Sequence, residues 1–426
     1  MFFPSPLLCF ALDRRTLLSS LSSTSLIANV DTATVGNRQD EKIPSYLKEE
    51  DSEPWMITLP LERSSGGTNS VRVTLSYEKQ TIKSPLFGSK IFTPKKLFKL
   101  IVDTGSPYIV IADGTEYAKF IEEDISVDSN TQLPWFVSLW LDPILESMTL
   151  PENIPYLLQP SQYESTEEIY GSQKGDITWN ESYIQMRDDR LSGNMAIGLL
   201  DEKLRNEIGG SSLGLIKNSN NQSTKVQLRP TFLAQQDENM GYESNNGITS
   251  FILDSPQRKL TLTRNMNLIP EKQNAIPLVD LRSLGDFVEH YACQVDSFIL
   301  NGKEYTSDII HSLTKQNKRK IVAVFDSGLS GCLLTDDLWQ DLQICDKDFA
   351  MSDEIKVGIV TENRDEKKWF QSSNGLNPFY YISKISLDWF DDEDTSPYLI
   401  IIGQTFLIQG SLTIDITERR ALFVEE

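Results

Sequence analysis

Apolar and polar residues alternate with a period of two along much of the chain from Trp55 onward, which is the pattern of half-buried β-strands. Met56–Leu61 (MITLPL) and Ser70–Tyr77 (SVRVTLSY) alternate in this way. The apolar runs Leu97–Val102 and Tyr108–Ile111 predict two strands around a short turn. Phe251–Leu253 and Lys259–Thr263 predict a paired set, with Ser255-Pro256 in the turn. Ile276–Val279, Tyr291–Leu300 and Ile321–Phe325 open a second strand-rich region, which Tyr398–Ile402, Ser411–Ile416 and Ala421–Val424 close. Helical patterning is confined to two places. One is the acidic stretch 115–150, with Trp135 and Trp140 as packing residues. The other is Thr335–Leu342, with Thr335 at the N-cap and Asp336 and Asp337 in the first turn. Ser211–Thr224 is rich in Ser, Asn and Gly and predicts a surface loop. A polar, Pro-containing stretch, Asn265–Asn274, marks a boundary between halves. The expectation is a mainly β protein with an N-terminal half over 55–268 and a C-terminal half over 269–426.

The first residues do not fit this pattern. Residues 1–12 (MFFPSPLLCFAL) are apolar but too short to span a bilayer, and no later run is long enough. Residues 1–40 are therefore read as a targeting presequence and excluded from fold reasoning. The apolar start is that of a signal peptide without its basic residue, whereas Arg14-Arg15 before a mild apolar stretch looks like a twin-arginine signal. The two readings lead to a secretory, endomembrane or extracellular location in one case and to the plastid thylakoid lumen in the other. Residues 41–54 are charged and read as a linker or short pro-segment.

The chain has 426 residues with 39% hydrophobic content, which supports real cores. Forty Lys and Arg against 61 Asp and Glu give a formal charge of −21. That argues against a nucleic-acid partner, since phosphate binding needs a basic surface. Lys315–Lys320 (KQNKRK) is too short to change this and reads as a solvated turn. Two histidines, His290 and His311, make a serine or cysteine triad and a histidine-rich zinc site improbable, and both read as structural or surface residues. The four cysteines, Cys9, Cys293, Cys332 and Cys345, show no metal spacing. A Cys332–Cys345 bridge and buried free thiols are both open. Asn180-Glu-Ser182 and Asn221-Gln-Ser223 are glycosylation sequons, used only on entering the endoplasmic reticulum.

The candidate chemistry lies in two segments that look like copies. The first reads Lys-Leu-Ile-Val-Asp103-Thr104-Gly105-Ser106, then Pro-Tyr-Ile-Val-Ile. The second reads Ile-Val-Ala-Val-Phe-Asp326-Ser327-Gly328, then Leu-Ser-Gly-Cys-Leu-Leu. Each brings an apolar run into an Asp-hydroxyl-Gly turn and leads an apolar run out. An Asp there presents its carboxylate at the end of a sheet. The glycine allows a tight turn and close approach. The hydroxyl of Thr104 or Ser327 can hydrogen-bond buried backbone and lock the loop. Two such loops face to face would share one proton between Asp103 and Asp326, because like charges so close do not both ionise cheaply. The ionised member takes a proton from water while the protonated member hydrogen-bonds a carbonyl.

From Trp55 to Glu426 the chain resembles the pepsin-like aspartic endopeptidases. Besides the two aspartates, Ile169-Tyr170-Gly171-Ser172 followed by Gly175 resembles the family's flap. Asn194-Met-Ala-Ile-Gly198-Leu resembles the element packed behind the first active loop, and Ile400-Ile-Ile-Gly403-Gln-Thr-Phe406-Leu its partner behind the second. Leu412–Phe423 resembles the closing strands. The resemblance implies a bilobal fold of two β-barrel-like lobes with a cleft between them, and peptide-bond hydrolysis by Asp103 and Asp326. Thr104, Ser106 and Ser327 would support the pair. Tyr170, Gly171, Ser172, Gly105 and Gly328 would contact substrate. It implies a polypeptide substrate, no metal or cofactor, and a monomer. The chain departs from the family at Val110, where a tryptophan usually holds the flap tyrosine, at Leu329 in place of a hydroxyl residue, at Gln404 in place of an acidic one, and in lacking the small disulfide loop after the first Asp. The alternative is a pepsin-fold binding or inhibitor protein without catalysis.

Overall fold

The computed structural model describes residues 54–426 except 113–164, 218–230, 310–318, 343–354, 373–381, 387–395 and shorter gaps. The expected presequence, most of the linker, the acidic helical stretch, Asn221, His311 and Cys345 lie outside the described residues.

Among the described residues the fold is mainly β, with a fourteen-stranded sheet, an eight-stranded sheet and a two-stranded hairpin. Strand formation follows the period-two pattern. In Asn69–Ser76, Val71, Val73 and Leu75 are buried while Arg72 between them is exposed. Its antiparallel partner Lys95–Asp103 sets Leu100 against Val71 and Phe98 against Val73, so both inward rows meet in one core. Each such side chain, fully buried, contributes about 1.5–3 kcal/mol. Ile321–Phe325 is buried at every position because strands flank it on both sides and both its faces are covered. The sheet order is not the chain order. Trp55–Pro60, Lys259–Arg264 and Ser250–Asp254 lie in the large sheet beside the closing strands Gly410–Asp415 and Arg420–Glu425.

A four-strand unit occurs twice, once in each large sheet. The first has a leading strand (Lys95–Asp103), a backing strand (Ser212–Gly214), a trailing strand (Ile109–Ile111) and a flanking strand (Gly193–Leu200), adjacent in that order. The second has Ile321–Phe325, Tyr398–Ile402, Cys332–Thr335 and Ile382–Ile385 in the same order. In both, the backing strand runs parallel to the leading strand and antiparallel to the trailing one, and the flanking strand runs parallel to the trailing one.

Several local expectations change. Ser212–Gly214, expected in a surface loop, is a fully buried backing strand, because its neighbours on both sides supply the ladder that a three-residue strand cannot supply itself. The strand behind the first aspartate loop therefore ends at Gly214, whereas Gly198 sits in the flanking strand opposite Val110. A Cβ on Gly214, the last residue of the first backing strand, would lie 2.4 Å from the Ser106 carbonyl oxygen, and one on Gly403, just after the second, 2.2 Å from that of Gly331, so both places need glycine for their close approach. Thr335 is the N-cap residue of the Asp336–Asp341 helix, but its hydroxyl accepts the Leu399 N–H at 3.3 Å rather than capping the helix. Arg319 of the basic stretch is buried, not solvated. It donates to the Ser396 carbonyl at 2.5 Å, pairs with Asp337 and lies 4.1 Å from the centre of the Tyr398 ring. Cys293 and Cys332 are buried free thiols, which removes the bridge to Cys345.

Candidate active site

Asp103 ends the first leading strand and Asp326 directly follows the second, and the loops they open are cross-braced. Thr104 donates its hydroxyl to the Phe325 carbonyl at 2.8 Å and accepts the Ser327 N–H at 2.9 Å. Ser327 donates its hydroxyl to the Val102 carbonyl at 2.7 Å and accepts the Thr104 N–H at 3.1 Å. Each hydroxyl thus satisfies one carbonyl and one amide of the opposite loop's backbone, and both side chains are fully buried. Locked hydroxyls in a water-excluded seam fix the relative position of the two loops.

The same reciprocity holds for the carboxylates. Gly105 N–H donates to Asp103 at 2.8 Å, and Gly328 N–H donates to Asp326 at 2.9 Å. A Cβ on Gly105 would lie 2.7 Å from the Asp326 carboxyl carbon, and one on Gly328 2.6 Å from that of Asp103. Each glycine is therefore the floor under the other loop's carboxylate. The aspartates hydrogen-bond each other. They keep partial exposure at the rim of a seam whose hydroxyls have none, so water can reach them.

Both carboxyls are raised above the ordinary range, Asp103 the more strongly. Desolvation is the largest cause for each. For Asp103 the negative charge of Asp326 adds to it. For Asp326 the hydrogen bonds from Asp103, Gly328 and Leu329 work against it, as does His290. The pair so arranged shares one proton and carries one negative charge between its two carboxyls.

Behind the first loop, Leu215 N–H donates to the Asp103 carbonyl at 2.8 Å. Behind the second, Asp326 N–H donates to the Ile402 carbonyl at 3.0 Å, and the buried Gln404 amide donates to the Ser327 carbonyl at 3.1 Å. Gln404 thus fastens the loop by its neutral amide. Ser106 is buried, and its hydroxyl accepts the Tyr108 N–H at 3.5 Å. Tyr170 ends the Ser165–Tyr170 strand, opposite Gln173 in the antiparallel hairpin formed with Gln173–Gln185. Gly171 and Ser172 lie outside the described residues.

Two side chains were missed in the sequence. Trp179, on the long hairpin strand, packs edge-to-face on Tyr108 at 5.0 Å and joins Val110 in one buried cluster. A tryptophan therefore does occupy the neighbourhood of Val110, delivered by the hairpin. His290 is buried and bonds Asp286 at 2.7 Å just ahead of the Ala292–Leu300 strand. The Asp-to-His spacing of four was the available signal, but nothing local tied it to Asp326. No cluster of described residues could hold a metal ion. No described helix is long and apolar enough to cross a membrane. No family model matches the chain, and no curated protein matches it.

Proposed function

We propose that the chain is a pepsin-like aspartic endopeptidase, its two large sheets forming the cores of two lobes with the substrate cleft between them. The observation that carries this reading is the reciprocal carboxylate pair, each acid seated on the other loop's glycine and both loops tied by buried hydroxyls. The chemistry needs nothing beyond water and these side chains. Asp326, ionised, takes a proton from a water molecule as the water oxygen bonds to the scissile carbonyl carbon. Asp103 gives its proton to the carbonyl oxygen, producing a neutral tetrahedral diol. Collapse breaks the C–N bond. Asp326 returns its proton to the departing nitrogen, and a diol hydroxyl restores the proton on Asp103. The substrate is an extended polypeptide held by backbone hydrogen bonds with side chains alternating in direction. The Ser165–Gln185 hairpin, with Tyr170 at its end, covers it.

The test is cleavage of a peptide library by the full-length chain between about pH 3 and 7, the range open to carboxyl pairs. It is run with and without a statine-type inhibitor and beside Asp326→Asn. Inhibitor-sensitive cleavage that disappears in the variant supports the reading. A folded protein that cleaves nothing at any pH overturns it.

A further inference from the structure

His290 is one of two histidines in the chain and lies buried beside the carboxylate pair. The backbone explains why. Ala292 pairs with Val324 across the antiparallel strands, and Phe325 N–H donates to the Tyr291 carbonyl at 3.1 Å. Continued by two residues, this register puts His290 level with Asp326. On its other side the ring bonds Asp286 at 2.7 Å through Nδ1, and Asp286 is itself buried. The ring also hydrogen-bonds the Gly105 backbone of the first loop. A carbonyl can only accept, so the ring nitrogen facing it carries a proton, and the carboxylate of Asp286 favours a proton on the second nitrogen as well.

We propose that His290 is a positioning residue of the dyad: its charged ring, held by Asp286, anchors the first loop through Gly105 and favours the ionised form of Asp326. This rests on reading the pair as hydrolytic. Burial opposes the imidazolium, but Asp286, Asp326 and the Gly105 carbonyl together outweigh it and raise the His290 pKa. The other charged groups around the ring are Lys217, Glu289 and Arg419, which line a small cavity with it. Lys217 is paired with Asp237, and Glu289 with Arg282 and Arg419, so none offers His290 a competing unmatched charge. Below its raised pKa, His290 is positive and Asp326 gives up its proton more readily. The acid limb of activity therefore extends to lower pH than the carboxylates alone would allow.

The experiment uses the full-length chain and two readouts. The first is the histidine ring carbon signal by NMR, assigned with His311→Gln, in the wild type and in the Asp103→Asn/Asp326→Asn double variant. The expected midpoint for His290 falls by roughly half a pH unit or more when both carboxylates are neutralised, the scale of one partly shielded neighbouring charge. The second is the pH profile of kcat/KM for His290→Gln, which keeps a donor for Gly105 but carries no charge. Its acid limb moves to higher pH by roughly 0.5–1 unit, and Asp286→Asn moves it the same way. A His290 midpoint indifferent to the dyad, or a uniform loss of activity at every pH, overturns the proposal and leaves a purely structural histidine. A wild type that cleaves nothing refutes the protease reading alone, since the NMR titration needs no turnover and still decides the coupling.

Discussion

Replacing Thr104 by Val removes one hydroxyl and leaves the side-chain volume unchanged, so the result reads hydrogen bonding rather than packing. Two groups lose their partner: the Phe325 carbonyl, bonded at 2.8 Å, and the Ser327 N–H, bonded at 2.9 Å. Both lie in a seam closed to water, where an orphaned polar group costs about 1–3 kcal/mol. The expected loss is thus about 2–6 kcal/mol, a large part of the 5–15 kcal/mol typical of a whole domain. Ser327→Ala orphans the Val102 carbonyl and the Thr104 N–H in the mirror arrangement and should cost a similar amount. Once one hydroxyl is gone the loops can part and admit water, so the double variant should lose less than the sum, by about 0.5–3 kcal/mol. Urea unfolding followed by tryptophan fluorescence measures each corner of the cycle. The midpoint should fall with the slope unchanged, and Thr104→Ser should stay near wild type. A cost below about 0.5 kcal/mol for Thr104→Val, or strict additivity in the cycle, would show that the loops are not held by each other and would refute the reasoning.

Other perturbations address the carboxylates and the core. Gly328→Ala sets a methyl 2.6 Å from the Asp103 carboxyl carbon, where carbon contacts need about 3.5 Å, so the acid must withdraw by roughly 1 Å. Steady-state kinetics should show kcat reduced about 100-fold in a folded protein, and an unchanged kcat would contradict the reciprocal seating. Asp103→Asn tests the raised carboxyl. The folded state keeps a proton that the unfolded chain releases above the usual carboxylate range, so wild-type stability from this group is full at low pH and is lost as pH rises through the raised value. The variant should gain stability on wild type more at pH 7 than at pH 4 by chemical denaturation, and an equal difference at both would count against it. Burial pushes the Cys332 thiol up to about 12 and that of Cys293 higher still. Peptide mapping after iodoacetamide treatment at pH 8 should find both unlabelled until denaturant is added, and labelling of either in the native protein would contradict its burial.

The readable parts of the site were those written in consecutive residues. Asp103-Thr104-Gly105 and Asp326-Ser327-Gly328 stood out because turn chemistry and apolar flanks are local, and their hydroxyls donate to buried carbonyls of the opposite segment. The strand pairs Trp55–Pro60 with Lys259–Arg264 and Gly410–Asp415 with Arg420–Glu425 show how period-two patterning survives into the fold. The misplaced parts were those whose stability comes from elsewhere in the chain. Ser212–Gly214 has a loop's composition and becomes a strand because Ile101 and Val110 stand on either side of it. Arg319 has a surface residue's charge and is buried because Ser396, Asp337 and Tyr398 converge on it.

The sequence by itself determined that this is a β-rich chain with two matching aspartate turns, since alternation and turn residues act within a few positions of one another. Only the tertiary structure decided which strand backs each turn, that the unit around each is repeated strand for strand, and that a histidine thirty-six residues before Asp326 stands level with it. Those facts depend on register between distant strands. Register is set by the sum of core packing and ladder bonds across the sheet, which no short stretch of sequence contains.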